Sequence, residues 1–184
     1  MDRVIITDIF GRTGELEELA LRLSSGKGHA AIIDPYDGRD KGFFDEAEAY
    51  ACFTRTIAMD GYIQKVEDWF KTRTDPVVVI GFSAGASALW AVSSRPVLHD
   101  RARAFCFYGS QIRHMADLNP KIETTLFFPV KEDHFDVSQM KAAVTGKPNV
   151  EVIQTGYLHG FMNRRSVNFD PEGYDRYLDR LEGL

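Results

Sequence analysis

The chain has 184 residues, of which 44% are hydrophobic and 27% are charged, and its formal net charge is −5. These values are typical of a globular domain that buries a substantial core. The negative net charge and the scattered lysines and arginines argue against a nucleic-acid-binding protein, and the charged N-terminus argues against a secretory signal.

Short apolar runs alternate with longer amphipathic segments along the chain. The apolar runs, which we predict to be β-strands, are residues 4–10, 30–34, 77–82, 104–108, 125–130 and 150–154. The predicted helices are residues 15–23, 44–71 with a break near Asp60-Gly61, 84–93, 137–144 and 171–181. Such alternation predicts a doubly wound parallel sheet with helices on both faces. We therefore predict one α/β domain over residues 1–184.

Residues 76–94 form a stretch without any charged residue, and its length approaches that of a membrane span. The stretch changes, however, from a β-branched run to an alanine-rich one, and glycines and serines lie between the two parts. This change predicts a strand, a tight turn and a helix. We do not expect the chain to span a membrane.

Ser83 lies in this turn, within Gly81-Phe82-Ser83-Ala84-Gly85. The pattern is G-x-S-x-G between a strand and a helix, which is the context of a nucleophilic serine. Small residues are needed there because the turn is strained, and the following helix directs its N-terminus at the serine. The alternative interpretation is a glycine-rich turn whose serine only caps a helix.

A nucleophilic serine needs a base and an acid, and in this type of fold they follow in the order serine, acid, histidine. His159 follows the last predicted strand and is the candidate base. Glu132, Asp133 and Asp136 all follow the fifth predicted strand. We favour Asp133 because a short carboxylate held at the strand end is the usual solution, and Asp136 is also a candidate helix cap.

The loop after the first strand is expected to supply the second backbone donor of an oxyanion hole. We predict the N–H groups of Ile9 and Ala84 as the two donors, with Phe10 as the alternative to Ile9. Further side chains near strand ends are candidate substrate contacts, and they suggest a shallow site for small or short-chain acyl groups. These candidates are Asp8, Phe10, Tyr36, Phe82 and Tyr108.

These motifs together resemble the dienelactone hydrolase family of the α/β-hydrolases. The matching segments are Asp8-Ile9-Phe10-Gly11, Asp34-Pro35-Tyr36, Gly81-Phe82-Ser83-Ala84-Gly85, Tyr108-Gly109, Asp133-His134-Phe135 and His159-Gly160-Phe161. The resemblance implies an α/β-hydrolase fold, here with six strands in the order 2-1-3-4-5-6, and hydrolytic chemistry. It also supports Asp133 over Glu132 as the acid.

Three departures from that family's pattern limit what carries over. The family's namesake enzyme uses cysteine where this chain has Ser83. The two strands that normally precede the Ile-Phe-Gly strand are not seen. The basic residues that bind a lactone carboxylate have no secure counterpart, and Arg39 is a poor candidate. The chemistry is therefore expected to carry over, whereas the dienelactone substrate is not.

We therefore predict a serine hydrolase that cleaves a small carboxylic ester or thioester through an acyl-enzyme. The alternatives are a lactone, C–C or peptide bond hydrolase with the same triad, and a non-catalytic binding protein. We expect no metal or organic cofactor and no nucleic-acid or membrane partner. The expected partner is a small-molecule ester substrate, and the sequence leaves a monomer and a homodimer open. Cys52 and Cys106 show no disulfide or metal-ligand pattern, which favours a reducing, cytoplasmic location.

Overall fold

The computed structural model describes residues 1–24 and 29–184 and contains a six-stranded parallel sheet. The strands are β1 (Asp2–Ile6), β2 (Ala30–Ile33), β3 (Val77–Phe82), β4 (Arg103–Phe107), β5 (Glu123–Phe128) and β6 (Val150–Gln154). The helices are α1 (Gly14–Ser24), α2 (Glu46–Thr56), α3 (Ala58–Lys71), α4 (Ala84–Ser93), α5 (Val137–Val144) and α6 (Pro171–Glu182), with a 3-10 turn over Ser110–His114. The predicted parallel sheet and its strand order 2-1-3-4-5-6 are confirmed.

Alternate residues of the central strands supply two separate cores, one on each face of the sheet. On one face, Val79 packs with helices α2 to α5, and Trp90 and Leu89 of α4 are fully buried there. On the other face, Ile80 packs with α1 and α6. All six residues of β3 are buried, because a central strand of a doubly wound sheet is covered on both sides. The turn after β3 therefore starts from a rigid position.

Helix capping follows the sequence closely at two places. Asp170 accepts a hydrogen bond from Gly173 N–H at 2.8 Å, and Pro171 occupies the first turn of α6. Asp136 accepts from Ser138 N–H at 2.7 Å and caps α5. Each carboxylate satisfies a backbone donor that the helix leaves unpaired. Asp136 therefore acts as the cap that its position predicts.

The predicted long helix over residues 44–71 divides at Ile57 and not at Asp60-Gly61. Ile57 N–H still donates to Phe53 O, but Ala58 adopts a φ of +52° and starts a new helix. The Ile57 side chain then lies against Gly61, where a Cβ would be 2.9 Å from Ile57 Cγ1. Because Gly61 has no Cβ, the Ile57 side chain can approach it closely. Gly61 therefore accommodates the break at Ile57, but the break does not occur at Gly61.

Among the described residues, no helix is long and apolar enough to cross a membrane. The uncharged stretch over residues 76–94 contains β3 and α4. The predicted strand, turn and helix are therefore confirmed.

Candidate active site

Ser83 occupies a strained turn between β3 and α4. Its φ of +50° lies in the left-handed region, which is unfavourable for a residue with a side chain. The flanking glycines make the turn possible. A Cβ at Gly85 would lie 2.3 Å from Ile6 O, and one at Gly81 would lie 2.7 Å from Ala86 Cα. Strain of this kind is typical of functional positions, and here it holds the serine hydroxyl above the sheet edge.

The Ser83 hydroxyl lies 2.9 Å from His159 Nε2. His159 comes from the loop after β6, and its ring packs against the Tyr108 ring with 4.9 Å between centroids. The separation is within hydrogen-bond reach. The pair that the sequence predicts is therefore brought together at the carboxyl edge of the sheet.

The carboxylate that contacts His159 belongs to Glu132, not to Asp133. Glu132 Oε1 lies 2.7 Å from His159 Nδ1, and the Glu132 side chain is only 10% exposed. The expectation that Asp133 would make this contact is wrong. Strand β5 ends at Phe128, earlier than predicted, so the acid stands further from the strand end and the longer glutamate side chain spans the gap. Asp133 instead lines the open cleft beside the serine.

The loop after β1 lies beside Ser83 and contains Ile9 and Phe10, the two candidates for the second oxyanion donor. Phe10 N–H donates to Asp8 Oδ1 at 2.9 Å, so it is already engaged. In the described part of the chain, no hydrogen bond engages Ile9 N–H or Ala84 N–H, and both residues line the cleft with Ser83. Ala84 N–H is also one of the unpaired donors at the start of α4. This arrangement favours Ile9 over Phe10 as the second oxyanion donor.

Asp8 is held behind this loop by polar contacts. Its Oδ2 accepts a hydrogen bond from Asn163 Nδ2 at 2.6 Å. Burial raises the pKa of Asp8 to about 6, although the hydrogen bonds from Phe10 and Asn163 and the nearby His159 oppose the shift. Asp8 also lines a narrow recess next to Ser83. Asp8 is therefore a carboxyl group with a raised pKa that lies next to Ser83 and His159.

The aromatic residues predicted to contact substrate fall into two groups. Phe10 and Tyr108 line the same recess as Asp8 and Ser83. Tyr36 and Phe82 are buried, and neither lines the open cleft or the recess. Tyr36 Oη donates to Ile9 O at 2.7 Å and holds the loop after β1, whereas Phe82 packs on Phe107 on the other face. Phe82 also lines a separate small cavity with Asp8, Phe10 and Tyr108. The structure thus gives Tyr36 and Phe82 packing roles, and their contact with substrate stays a prediction.

The open cleft around Ser83 has a volume of about 750 Å³, which is within the usual range of small-molecule sites. Sequence reasoning missed most of its walls. These walls include Ala47, Tyr50, Phe53, Ala58, Met59, Gln111, Arg113, His134, Phe135 and Asn168. Several of them come from the division between α2 and α3, which no proline marks in the sequence. The only sequence signal for these walls is the amphipathic pattern of residues 44–71. That pattern predicts that one face of the helix is buried, but it does not predict that the face lines a cleft.

Among the described residues, no group of three or more histidine, cysteine, aspartate or glutamate side chains is placed to hold a metal ion. Cys106 is fully buried, and its burial raises the pKa of the thiol. It lies in β4, next to the strand that carries the elbow. Cys106 is therefore a core residue and not a second nucleophile.

Comparisons with known proteins find a relative of similar sequence and solved structures with a similar fold. The Bacillus subtilis (strain 168) protein YczH, described as uncharacterized, is 28% identical over 172 residues, covering 91% of this chain and 83% of YczH. A crystal structure described as a putative dienelactone hydrolase from Klebsiella pneumoniae has a TM-score of 0.73 at 15% identity, covering 99% of this chain and 85% of that one. The thioesterase domain from the curacin biosynthetic pathway has a TM-score of 0.66 at 10% identity, covering 100% and 91%.

These structural likenesses show the fold alone. The family assignment comes from the family model described as the dienelactone hydrolase family, which matches residues 3–181. That match includes the turn at Ser83, the loop after β1 and the loop that carries His159. The chain therefore belongs to the dienelactone hydrolase family, a family of hydrolases with the α/β-hydrolase fold.

Proposed function

We propose that this protein is a serine hydrolase that cleaves a carboxylic ester or thioester of a small molecule through an acyl-enzyme. The single observation that carries the proposal is the continuous hydrogen-bonded chain from Ser83 through His159 to Glu132, with separations of 2.9 and 2.7 Å. Such a chain is the arrangement that activates a serine hydroxyl. Membership of a hydrolase family supports the same conclusion.

The proposed reaction begins with neutral His159. With its proton on Nδ1, His159 donates to Glu132, and Nε2 is free to accept the Ser83 proton. Ser83 Oγ then attacks the substrate carbonyl, and the oxyanion receives hydrogen bonds from Ile9 and Ala84 N–H. His159 gives its proton to the leaving alcohol or thiol. A water molecule, activated by the same histidine, then hydrolyses the acyl-enzyme and restores the serine.

Glu132 acts in this scheme by holding the imidazole and stabilising its charged form. The carboxylate is largely buried, with 10% of its side chain exposed. Its interaction with the imidazolium is therefore screened less than that of an exposed pair. No step requires Glu132 to become protonated.

A fluorophosphonate probe tests the mechanism directly, because it forms a covalent bond to an activated serine. We expect the wild-type protein to be labelled and Ser83→Ala to be unlabelled. Ser110→Ala is the matched control, since Ser110 offers a second hydroxyl in the same cleft. Intact mass spectrometry gives the readout. An unlabelled wild-type protein, or equal labelling of Ser83→Ala, would contradict the proposal.

A substrate panel then separates the ester and thioester proposal from lactone, C–C and peptide bond hydrolysis. Nitrophenyl esters, acyl thioesters and simple lactones can be compared by kcat/KM at one pH. We expect turnover of the esters and thioesters, with loss of activity in Ser83→Ala. A protein that is labelled by the probe but turns over only lactones would share the triad and differ in substrate.

A further inference from the structure

The cleft around Ser83 has two flanks of different chemistry, and the sheet order explains which residues form each. Ser83 follows β3, which lies between β1 and β4. Helices α2 and α3 precede β3 in the chain, and α3 packs on α4. They form the flank on the β1 side. The loops after β4, β5 and β6 form the opposite flank, which also carries His159.

The flank on the β1 side, which we call the α2–α3 flank, is apolar apart from Glu46 at its start and Thr54. Ala47, Tyr50 and Thr54 follow one another on one face of α2 at positions i, i+3 and i+7. Phe53 lies between them and is buried, while Tyr50 is 59% exposed. Ala58 and Met59 continue the surface at the start of α3 and are half-buried. The flank is therefore an open apolar wall and not a closed core.

The opposite flank is mostly polar. It is lined by Ser110, Gln111, Arg113, Asp133 and His134, with Phe135 as an apolar neighbour. Arg113 donates to Ser110 O at 2.7 Å and lies over the Phe135 ring. A long aliphatic group has little surface to cover on this side.

The position of His159 decides which part of an ester meets which flank. In the proposed reaction, His159 Nε2 must protonate the leaving oxygen, so the leaving group faces the histidine and the polar flank. The carbonyl oxygen points to Ile9 and Ala84 N–H. The acyl chain is the remaining substituent of the carbonyl carbon, and it extends away from His159 toward the α2–α3 flank.

We infer that the α2–α3 flank is the acyl-chain subsite and that the protein prefers esters of unbranched aliphatic acids of about four to eight carbons. This inference rests on the proposed function. Thr54 lies seven positions after Ala47 in α2, which corresponds to about 10 Å at about 1.5 Å per residue. An extended chain of about eight atoms has that reach, at about 1.2 Å per backbone bond. The prediction of short acyl groups is thus extended to medium ones.

The division between α2 and α3 gives this subsite its shape. Ala58 keeps a φ of +52°, and backbone strain of this kind concentrates at ligand-binding positions. Because the chain turns at Ala58, Met59 reaches the cleft from α3 while Tyr50 reaches it from α2. A single straight helix over residues 44–71 could not present both side chains to one groove.

The inference is tested with p-nitrophenyl acetate, butyrate, hexanoate and octanoate, which share one leaving group. Each added CH₂ should raise kcat/KM about twofold. This factor corresponds to roughly half of the transfer free energy of a fully buried CH₂, because the wall is open to solvent. Tyr50→Gln and Met59→Gln should reduce the increase of kcat/KM with acyl length, because each replaces an apolar side chain by a polar one. Glutamine is a good helix former, so neither change should disturb the helix itself. Tyr50 is exposed, so its variant should fold even if the Met59 variant does not.

Leu21→Gln is the matched control, because Leu21 is an exposed apolar residue of α1, on the other face of the sheet. It should keep the wild-type chain-length dependence. A second series with ethyl, butyl and hexyl acetate varies the alcohol alone, and its slope should be the same in all three variants. If Tyr50→Gln changes the alcohol slope and leaves the acyl slope unchanged, the α2–α3 flank binds the leaving group and the inference is wrong.

Fluorophosphonate labelling separates the two possible failures. A wild-type protein that is not labelled contradicts the proposed function itself. A protein that is labelled at Ser83 but shows no dependence of kcat/KM on acyl length keeps the proposed function and overturns only the acyl subsite. Labelled variants with unchanged acyl slopes do the same.

Discussion

Glu132 Oε1 lies 2.7 Å from His159 Nδ1, and this contact determines which nitrogen of the imidazole carries the proton. A carboxylate only accepts, so the Nδ1 proton points to Glu132 and the Nε2 lone pair points to Ser83. The neighbouring Asp133 faces the open cleft instead. Two adjacent acids in one loop thus have different surroundings, and their variants should behave differently.

Glu132→Gln should lower kcat strongly, because an amide neither stabilises the imidazolium nor enforces the required tautomer. In serine proteases, loss of the corresponding carboxylate charge lowers kcat by about 10⁴, and we expect a loss of about 10² to 10⁴ here. Asp133→Asn should leave kcat essentially unchanged. The measurement is kcat on p-nitrophenyl butyrate at pH 8, with circular dichroism to verify folding. A large loss in Asp133→Asn with an active Glu132→Gln would reverse the assignment.

The sequence predicted the parts of the fold and site that depend on local pattern. The elbow at Ser83 needs small residues at fixed positions, and Gly81 and Gly85 lie where a Cβ would meet backbone. His159 needs only to follow the last strand, which the chain order determines. The parallel sheet follows from the alternation of strands and helices, whereas its strand order is what the family resemblance implies. Such features depend on the residue itself and its immediate neighbours.

The features that sequence reasoning missed depend on where loops and helices end. The choice between Glu132 and Asp133 depends on the end of β5 at Phe128, two residues before the predicted end. The walls of the cleft depend on a helix break at Ile57 that the local residues do not mark. Tyr36 and Phe82 follow strand ends as predicted, yet their side chains turn into the core. Tertiary packing decides all three.

Gly85→Ala should destabilise the protein, because the added Cβ would lie 2.3 Å from Ile6 O and 2.4 Å from Thr7 O. Both contacts are with backbone of β1 and its loop, which cannot move independently of the sheet. We expect a loss of about 1–3 kcal/mol or more in the free energy of unfolding, as in overpacked cores. Urea denaturation followed by circular dichroism measures this change.

Gly14→Ala provides the control for Gly85→Ala, because a Cβ at Gly14 would meet nothing within 4 Å. Gly14 begins α1, where alanine fits the helical backbone and restricts the unfolded chain more than glycine does. We expect the Gly14 variant to be as stable as the wild type or slightly more so. Equal destabilisation of both variants would mean that the close packing at the elbow is not the cause.

Asp8 should make the stability depend on pH between about 4 and 6. The pKa of its carboxyl rises from 3.8 to about 6 because the group is buried, so the folded state holds a proton that the unfolded chain has lost. Stability from this group is therefore present below pH 4 and is lost as the pH rises through 6. Asp8→Asn removes this dependence, so the Tm of the variant minus that of the wild type should increase from pH 4 to pH 7.

Asp37→Asn is the control of opposite sign. The Lys65 ammonium, which lies 2.6 Å from Asp37, lowers the pKa of this exposed carboxyl. Its stabilising contribution is present at neutral pH and is lost as the pH falls through the lowered pKa. The Tm difference for this variant should therefore not increase with pH. A flat difference for Asp8→Asn would show that Asp8 ionises normally in the folded protein.

Tyr36→Phe should lower kcat more than it changes KM, because the lost hydroxyl holds the oxyanion loop from behind. Tyr36 Oη donates to Ile9 O at 2.7 Å, and Ile9 N–H is the proposed oxyanion donor. A neutral hydrogen bond contributes about 0.5–1.5 kcal/mol, which corresponds to a loss of about 2- to 12-fold in kcat.

Tyr174→Phe is the control for Tyr36→Phe, since Tyr174 is equally buried but packs against Phe169 on the other face. Steady-state kinetics on p-nitrophenyl butyrate gives both parameters. If Tyr36→Phe raises KM and keeps kcat, the loop contributes to substrate binding rather than to the oxyanion hole, because a donor used only in the transition state affects kcat.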